Sequence, residues 1–251
     1  LMEREKKIYF ASDFHLGAYV DRKIPSDREL KVVRWLDSIK DDCKELYLLG
    51  DIFDFWFEYK FVVPKGYVRL LGKLAEMSDA GIPIHIFTGN HDIWMFGYFN
   101  EQFNAHIYTA PIERSWNGKT FIIGHGDGLG PGDEGYKMVK RLFTNRIAQR
   151  LFAMLHPYIG VNLARFFSRK SRETTGSKDA VFLGEDEYLI QYAKAELKSR
   201  HVDYFVFGHR HLVIDELVGE GSRYINLGEW FTACNYGTFD GEKFRLQAFE
   251  S

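Results

Sequence analysis

Cysteine is scarce in this 251-residue chain, where only Cys43 and Cys234 occur. Two isolated thiols exclude a disulfide framework and suit a reducing, cytoplasmic compartment, with both residues serving as packing groups. No apolar run is long enough to span a bilayer, and the charged start from Leu1 to Lys7 predicts no signal peptide. No internal repeat or low-complexity tract occurs. Disorder is excluded too, because 45% hydrophobic and 16% aromatic residues are ample for a large core. The length allows one α/β domain, or a domain with a small insert.

The net charge of −2 hides an asymmetry. Between Tyr136 and Arg172 there are nine Lys or Arg and no Asp or Glu, which leaves 24 basic against 35 acidic residues elsewhere. A basic block inside an acidic protein calls for an anionic partner.

Hydrophobic patterning outlines the elements. Ile8 to Ser12, Leu46 to Leu49 and Ile84 to Thr88 read as buried strands. Helices are predicted over Asp27 to Ser38 and around Gly66 to Ala80, the second stopped by Gly81 and Pro83. This alternation argues for parallel βαβ units. Further on, Asn117-Gly118 predicts a hairpin between Ile112 to Arg114 and Thr120 to Ile123. Asp203 to Phe207, Val213 to Leu217, Ser222 to Asn226, Tyr236 to Phe239 and Phe244 to Phe249 read as mostly antiparallel strands. Between these halves, residues 131–179 carry an apolar helical stripe that His156-Pro157 interrupts, which predicts an inserted helical pair.

Five short stretches close strand-like runs with candidate metal ligands. They read Asp13-Phe14-His15, Gly50-Asp51-Ile52-Phe53-Asp54, Gly89-Asn90-His91-Asp92, Gly124-His125-Gly126-Asp127 and Gly208-His209-Arg210-His211. A glycine directly before the ligand, as in four of the five, lets the backbone turn sharply and approach an ion closely. Oxygen and imidazole donors without thiolates suit Mn, Fe, Zn or Co in a hydrolytic site. Side chains two apart on an extended segment point the same way, so Asp13 and His15 can reach one ion together, and so can His209 and His211 if their segment stays extended, although they need not share an ion. Asp51 is the natural bridge between two ions through its two oxygens. Asn90 offers an amide oxygen and His125 an imidazole nitrogen. Two ions about 3.5–4 Å apart hold a hydroxide, polarise a phosphoryl oxygen and stabilise the leaving oxygen. Asp54 and Asp92 are expected to orient ligands, and Asp127 to be either an orienting group or a plain turn residue.

These blocks resemble those of the calcineurin-like metallophosphoesterase family: D-x-H, G-D-x-x-D, G-N-H-D/E, G-H and G-H-x-H, in that order from Asp13 to His211. The resemblance implies an α/β, four-layer αββα sandwich of two mixed sheets, here as one domain spanning 1–251 with a helical lid near 131–179. It implies two divalent ions, one on Asp13, His15, Asp51 and His211 and the other on Asp51, Asn90, His125 and His209. His91 matches the histidine that protonates the leaving group or steadies the phosphoryl transition state, with Asn90 and Asp51 as its catalytic companions. A non-catalytic scaffold of this fold would have lost ligands, and none is missing.

The wording around Gly124 to Leu129, Gly132 to Tyr136, Ser171 to Glu173, Ser177-Lys178 and Leu227 to Trp230 is similar to the UDP-2,3-diacylglucosamine pyrophosphohydrolase branch. That branch cleaves a pyrophosphate in lipid A synthesis, giving UMP and 2,3-diacylglucosamine 1-phosphate. The resemblance implies Mn²⁺, a lipid-linked nucleotide-sugar substrate and peripheral work at the cytoplasmic face of the inner membrane. It implies no nucleic acid and no obligate protein partner. Substrate contacts would come from Asn90, His91, Asp133, Ser171, Arg172 and Lys178, while Trp230 would pack. Two positions depart from the branch. His91 stands where its best-studied members have arginine, and Thr175 where asparagine is expected, which leaves open a phosphodiesterase acting on another nucleotide or diester.

Overall fold

The computed structural model describes residues 6–18, 26–132, 134–175 and 181–250, and only the backbone of Ser26, Arg165 and residues 169–175. The N-terminal half alternates as β1 (Lys7–Ala11), α1 (Ser26–Ile39), β2 (Cys43–Leu48), α2 (Val68–Asp79), β3 (Ile84–Phe87), α3 (Tyr98–Phe103) and β4 (His106–Tyr108). Strands β1 to β4 pair in parallel, as helical crossovers require. The expected hairpin follows as β5 (Ile112–Trp116) and β6 (Lys119–Ile123). Its turn residues Asn117 and Gly118 have φ of 50° and 77°, the backbone that matches the twist of the flanking strands.

Three helices come next: α4 (Glu134–Thr144), α5 (Arg146–Ala153) and α6 (Pro157–Thr175). The first member of the predicted pair is thus divided. Asn145 breaks it by capping α5, its side-chain oxygen accepting from the backbone N–H of Ile147 at 2.9 Å and Ala148 at 3.1 Å. The chain closes with α7 (Tyr188–Leu197), β7 (Tyr204–Phe207), β8 (Val213–Leu217), β9 (Arg223–Leu227), β10 (Asn235–Phe239) and β11 (Phe244–Ala248). The expectation of mostly antiparallel strands holds for β8–β9, β10–β11 and β1–β10. It fails at β7, which runs parallel to both β6 and β9. Helix α7 lies between β6 and β7 in the chain and supplies the crossover a parallel pair needs.

Two mixed sheets result, ordered β11-β10-β1-β2-β3-β4 and β5-β6-β7-β9-β8. Strand alternation sorts their faces. Inward, Phe10, Tyr47 and Phe87 of the first sheet meet Phe121, Val206 and Ile225 of the second. Outward, Tyr9, Leu48 and Ile86 pack on Trp35 of α1, Leu74 of α2 and Phe99 of α3. On the far side, Ile122 and Phe205 pack on Leu189 and Ala193 of α7. The layers are therefore helix, sheet, sheet, helix. The inserted helices rest on a separate apolar cluster, with Phe143, Phe152 and Val161 against Phe55, Phe57 and Trp94.

Candidate metal centre

Every candidate ligand loop follows the C-terminal end of a strand: β1, β2 and β3 in one sheet, β6 and β7 in the other. Strands that are parallel within each sheet open their C-terminal ends onto one crevice, the usual place for a ligand in such sheets. The loops leave the strands abruptly. Asp13, His15, Asp51, His209 and His211 have φ of 56°, 43°, 51°, 71° and 53°, a left-handed backbone that residues other than glycine seldom adopt and that gathers at functional sites. The glycines before the ligands answer for the close approach. A Cβ at Gly89 would overlap Asp51, and one at Gly208 would overlap Asp13 and Ser12.

Two groups of donor atoms share Asp51. Asp13, His15, Asp51 and His211 form one, and Asp51, His125 and His209 the other, with the donor atoms of each within 4.8 Å of one another. Asn90 joins the second, its Oδ1 lying 3.3 Å from His125 Nε2. His209 and His211 fall in different groups, and their backbone is left-handed rather than the extended form on which they could have acted side by side. Asp51 Oδ1 accepts the His91 backbone N–H at 2.9 Å, and Oδ2 faces both groups, 3.6 Å from His15 Nε2 and 3.5 Å from His125 Nε2.

The donors fit divalent cations. His15 Nε2 and His211 Nε2 face each other at 3.0 Å, and His211 Nε2 is 3.2 Å from Asp13 Oδ1. Atoms about 2.1 Å from a common ion are spaced in this way. Asp13 Oδ1 is buried without a hydrogen-bond partner. His125 Nδ1–H donates to the Leu49 carbonyl at 2.7 Å, which leaves Nε2 as the ligating nitrogen.

The electrostatics point the same way. Asp13 and Asp51 are 0% and 1% exposed. Burial alone would raise their carboxyls, yet the surrounding imidazoles hold both well below the usual range. Burial takes His15 and His209 down to about 4. His125 goes the other way, up to about 10, because Asp51 overcomes its burial. Two buried carboxylates facing these imidazoles leave the pocket short of positive charge, which a divalent ion would supply.

Neighbouring side chains hold the loops. The Asp92 carboxylate accepts backbone N–H groups from Asp51, Ile52, Phe53 and Gly89 at 3.3, 2.8, 3.3 and 2.8 Å, tying the β2 and β3 loops together. Asp127 is no plain turn residue. Tyr136 donates to its Oδ2, and so does Lys140 Nζ at 2.6 Å, which docks α4 on the His125 loop. Arg28 donates to the His15 carbonyl at 2.8 Å and covers the Phe231 ring, which in turn stacks on His15. His91 lies edge-on to His15, with centroids 4.8 Å apart. Trp230 packs, buried against Phe14 and Trp35. His85, His106, His156 and His201 stand outside both groups.

Of the expected substrate contacts, Asn90 and His91 are in the crevice. Asp133 and Lys178 lie outside the described residues, as do the side chains of Ser171 and Arg172. Motif reading missed Ser168, whose hydroxyl reaches His91 Nδ1 at 3.0 Å. A serine inside a basic run carries no ligand signature, and only the packing of α6 reveals it.

The family model for calcineurin-like phosphoesterases matches residues 6–213. The UDP-2,3-diacylglucosamine hydrolase of Porphyromonas gingivalis is 39% identical, covering 97% of this chain and 98% of its own length. The enzyme of the same name from Shewanella baltica is 24% identical over 95% of each chain. Among solved structures, the E. coli phosphoesterase Yfce aligns with a TM-score of 0.47 at 15% identity, covering 97% of this chain and 93% of that one.

Proposed function

Because the chain belongs to the calcineurin-like phosphoesterase family, we propose that it hydrolyses the pyrophosphate bond of UDP-2,3-diacylglucosamine. The products would be UMP and 2,3-diacylglucosamine 1-phosphate. Two Mn²⁺ ions are the proposed cofactors, held by Asp13, His15, Asp51 and His211 on one side and by Asp51, Asn90, His125 and His209 on the other. Bound there, the ions would polarise the phosphoryl group and supply the nucleophile. Asp51, whose carboxylate faces both groups, would keep the two sites in register. Asn90 and His91 would orient the phosphoryl oxygens, and His91 would stabilise their charge or donate a proton to the departing phosphate.

The observation that carries the substrate is an exposed apolar surface fastened directly to this crevice. On α4 to α6, Met138, Leu142, Ile147, Leu151, Leu163 and Phe166 are all exposed, and large apolar side chains gathered into one patch on a surface mark lipid or partner sites. The same helices contact the site through Lys140 with Asp127 and Ser168 with His91. Acyl chains would lie on the apolar side while Lys and Arg meet phosphates, as in interfacial helices. No helix among the described residues is long and apolar enough to cross a membrane. The proposed location follows from the lipid-linked substrate instead: peripheral, at the cytoplasmic surface of the inner membrane. The domain with its lid over 131–179 would act without nucleic acid and without an obligate protein partner.

Purified Mn²⁺-loaded protein, incubated with UDP-2,3-diacylglucosamine, is expected to release UMP. Hydrolysis of bis(p-nitrophenyl) phosphate with no UMP from the lipid substrate would reject the proposal in favour of a soluble phosphodiester.

A further inference from the structure

The hydroxyl of Ser168, on α6, lies between two groups of the crevice, 3.0 Å from Asp54 Oδ1 and 3.0 Å from His91 Nδ1. Counting protons fixes its polarity. A hydroxyl has one hydrogen, and a carboxylate can only accept, so Ser168 donates to Asp54. Its oxygen must then accept from His91, which places a hydrogen on Nδ1. The Asp54 carbonyl, 3.3 Å from the same nitrogen, can also only accept and demands the same tautomer. Nε2 is left as the nitrogen of His91 open to a substrate. The backbone N–H of His91 is already held by Asp51 Oδ1 at 2.9 Å, so the residue is pinned from both ends.

What distinguishes this contact is where it comes from. Asp51, Asp54 and His91 lie on loops of the sandwich, whereas Ser168 lies on the inserted helices, 77 residues beyond His91 in the chain. We propose that Ser168 is a positioning residue through which the docked insert sets the tautomer and orientation of His91. The crevice is complete only when α6 is seated. A substrate gripped by the insert would thereby meet a histidine already aimed. The inference rests on the proposed role of His91 toward substrate, and its test separates the two.

The test uses Ser168→Ala, Ser168→Thr and Ser168→Cys in the full chain, with bis(p-nitrophenyl) phosphate as a substrate that does not depend on the lipid assignment. Ser168→Ala is expected to lower kcat about tenfold with KM and metal content near wild type, the size of effect seen when an orienting hydrogen bond is lost. Ser168→Thr, which keeps the hydroxyl, is expected to restore most of it. In a His91→Ala background the Ser168→Ala change should have no further effect. The ¹⁵N resonances of the His91 ring in zinc-loaded protein are expected to report Nδ1–H in the wild type and a mixed tautomer in Ser168→Ala. Wild-type kcat and unchanged ring resonances in Ser168→Ala would overturn the proposal. So would an equal loss in the His91→Ala background. Should Ser168→Ala fold poorly, Ser168→Cys keeps the volume, loses the strong hydrogen bond, and is read against the same outcomes. If His91→Ala leaves diester turnover intact, the role of His91 falls, while the ring resonances still decide whether Ser168 holds it.

Discussion

Arg210 and Glu187 form a buried, two-pronged ion pair, the guanidinium 3% exposed at residue level and the carboxylate residue 0%. Arg210 stands between His209 and His211 and also donates to the Val181 carbonyl at 3.0 Å. It therefore ties the ligand loop to the start of α7 and to the segment that returns from the insert. Removing one partner strands a buried charge, which costs about 3–5 kcal/mol. Glu187→Gln is expected to lower the melting temperature accordingly and to weaken metal binding. The paired change Arg210→Met with Glu187→Leu should recover stability but not metal affinity. A single variant that melts like wild type would refute this account of the loop.

Asp51 and His91 touch, yet their proposed duties differ. Asp51→Asn is expected to abolish binding of the two ions together, because its carboxylate faces both donor groups. His91→Ala is expected to lower turnover while metal content stays near normal. Elemental analysis beside turnover measurement checks the division, and equal metal loss in both variants would contradict it.

The basic block sorts into structural and available charges. Lys137 is taken up by the Gly130 carbonyl and Glu134, and Lys140 by Asp127, so neutralising them would disturb the fold of the crevice. Arg141, Arg146 and Arg150, exposed on α4 and α5, are the better test. Changing all three to Gln is expected to slow hydrolysis of the lipid-linked substrate severalfold and to spare bis(p-nitrophenyl) phosphate. Equal loss on both substrates would remove the support for a lipid ligand.

Far from the site, Asp240 caps the β10–β11 turn. Its Oδ1 accepts from the backbone N–H of Glu242 at 2.9 Å and Lys243 at 2.8 Å. These bonds hold its carboxyl down, from 3.8 to about 2. A lowered native pKa stabilises the fold above the unfolded value and is lost as pH falls through the folded one. Asp240→Ala is therefore expected to cost about 1 kcal/mol at neutral pH, with the difference from wild type shrinking between pH 4 and pH 2. A gap that stays constant over that range would show that the turn does not depend on the charge.

The parallel half of the fold was legible from β1 to β3 because short apolar runs alternate there with two helical stripes, the second closed by Gly81 and Pro83. Helix α7 and strand β4 were not. The buried face of α7 is only Leu189, Ile190 and Ala193, and β4 is three residues long, too short for a period to show. The direction of β7 was misread for a different reason: Tyr204 to Phe207 form a continuous apolar run buried on both faces, the pattern of a parallel strand, set among strands that pair antiparallel. In the crevice, residue types at strand ends pointed to the donors. The left-handed backbone of the ligand loops did not show in them, nor did the Asp51 oxygen that lies near both groups. Those depend on which neighbours, such as the His91 amide, occupy the remaining space.

The most direct test is to count and locate ions in protein loaded with Mn²⁺, by elemental analysis and anomalous diffraction. Two peaks per chain, one against Asp13, His15 and His211, the other against Asn90, His125 and His209, with Asp51 touching both, is the predicted result. A single peak, or none, with these side chains left in place would contradict it.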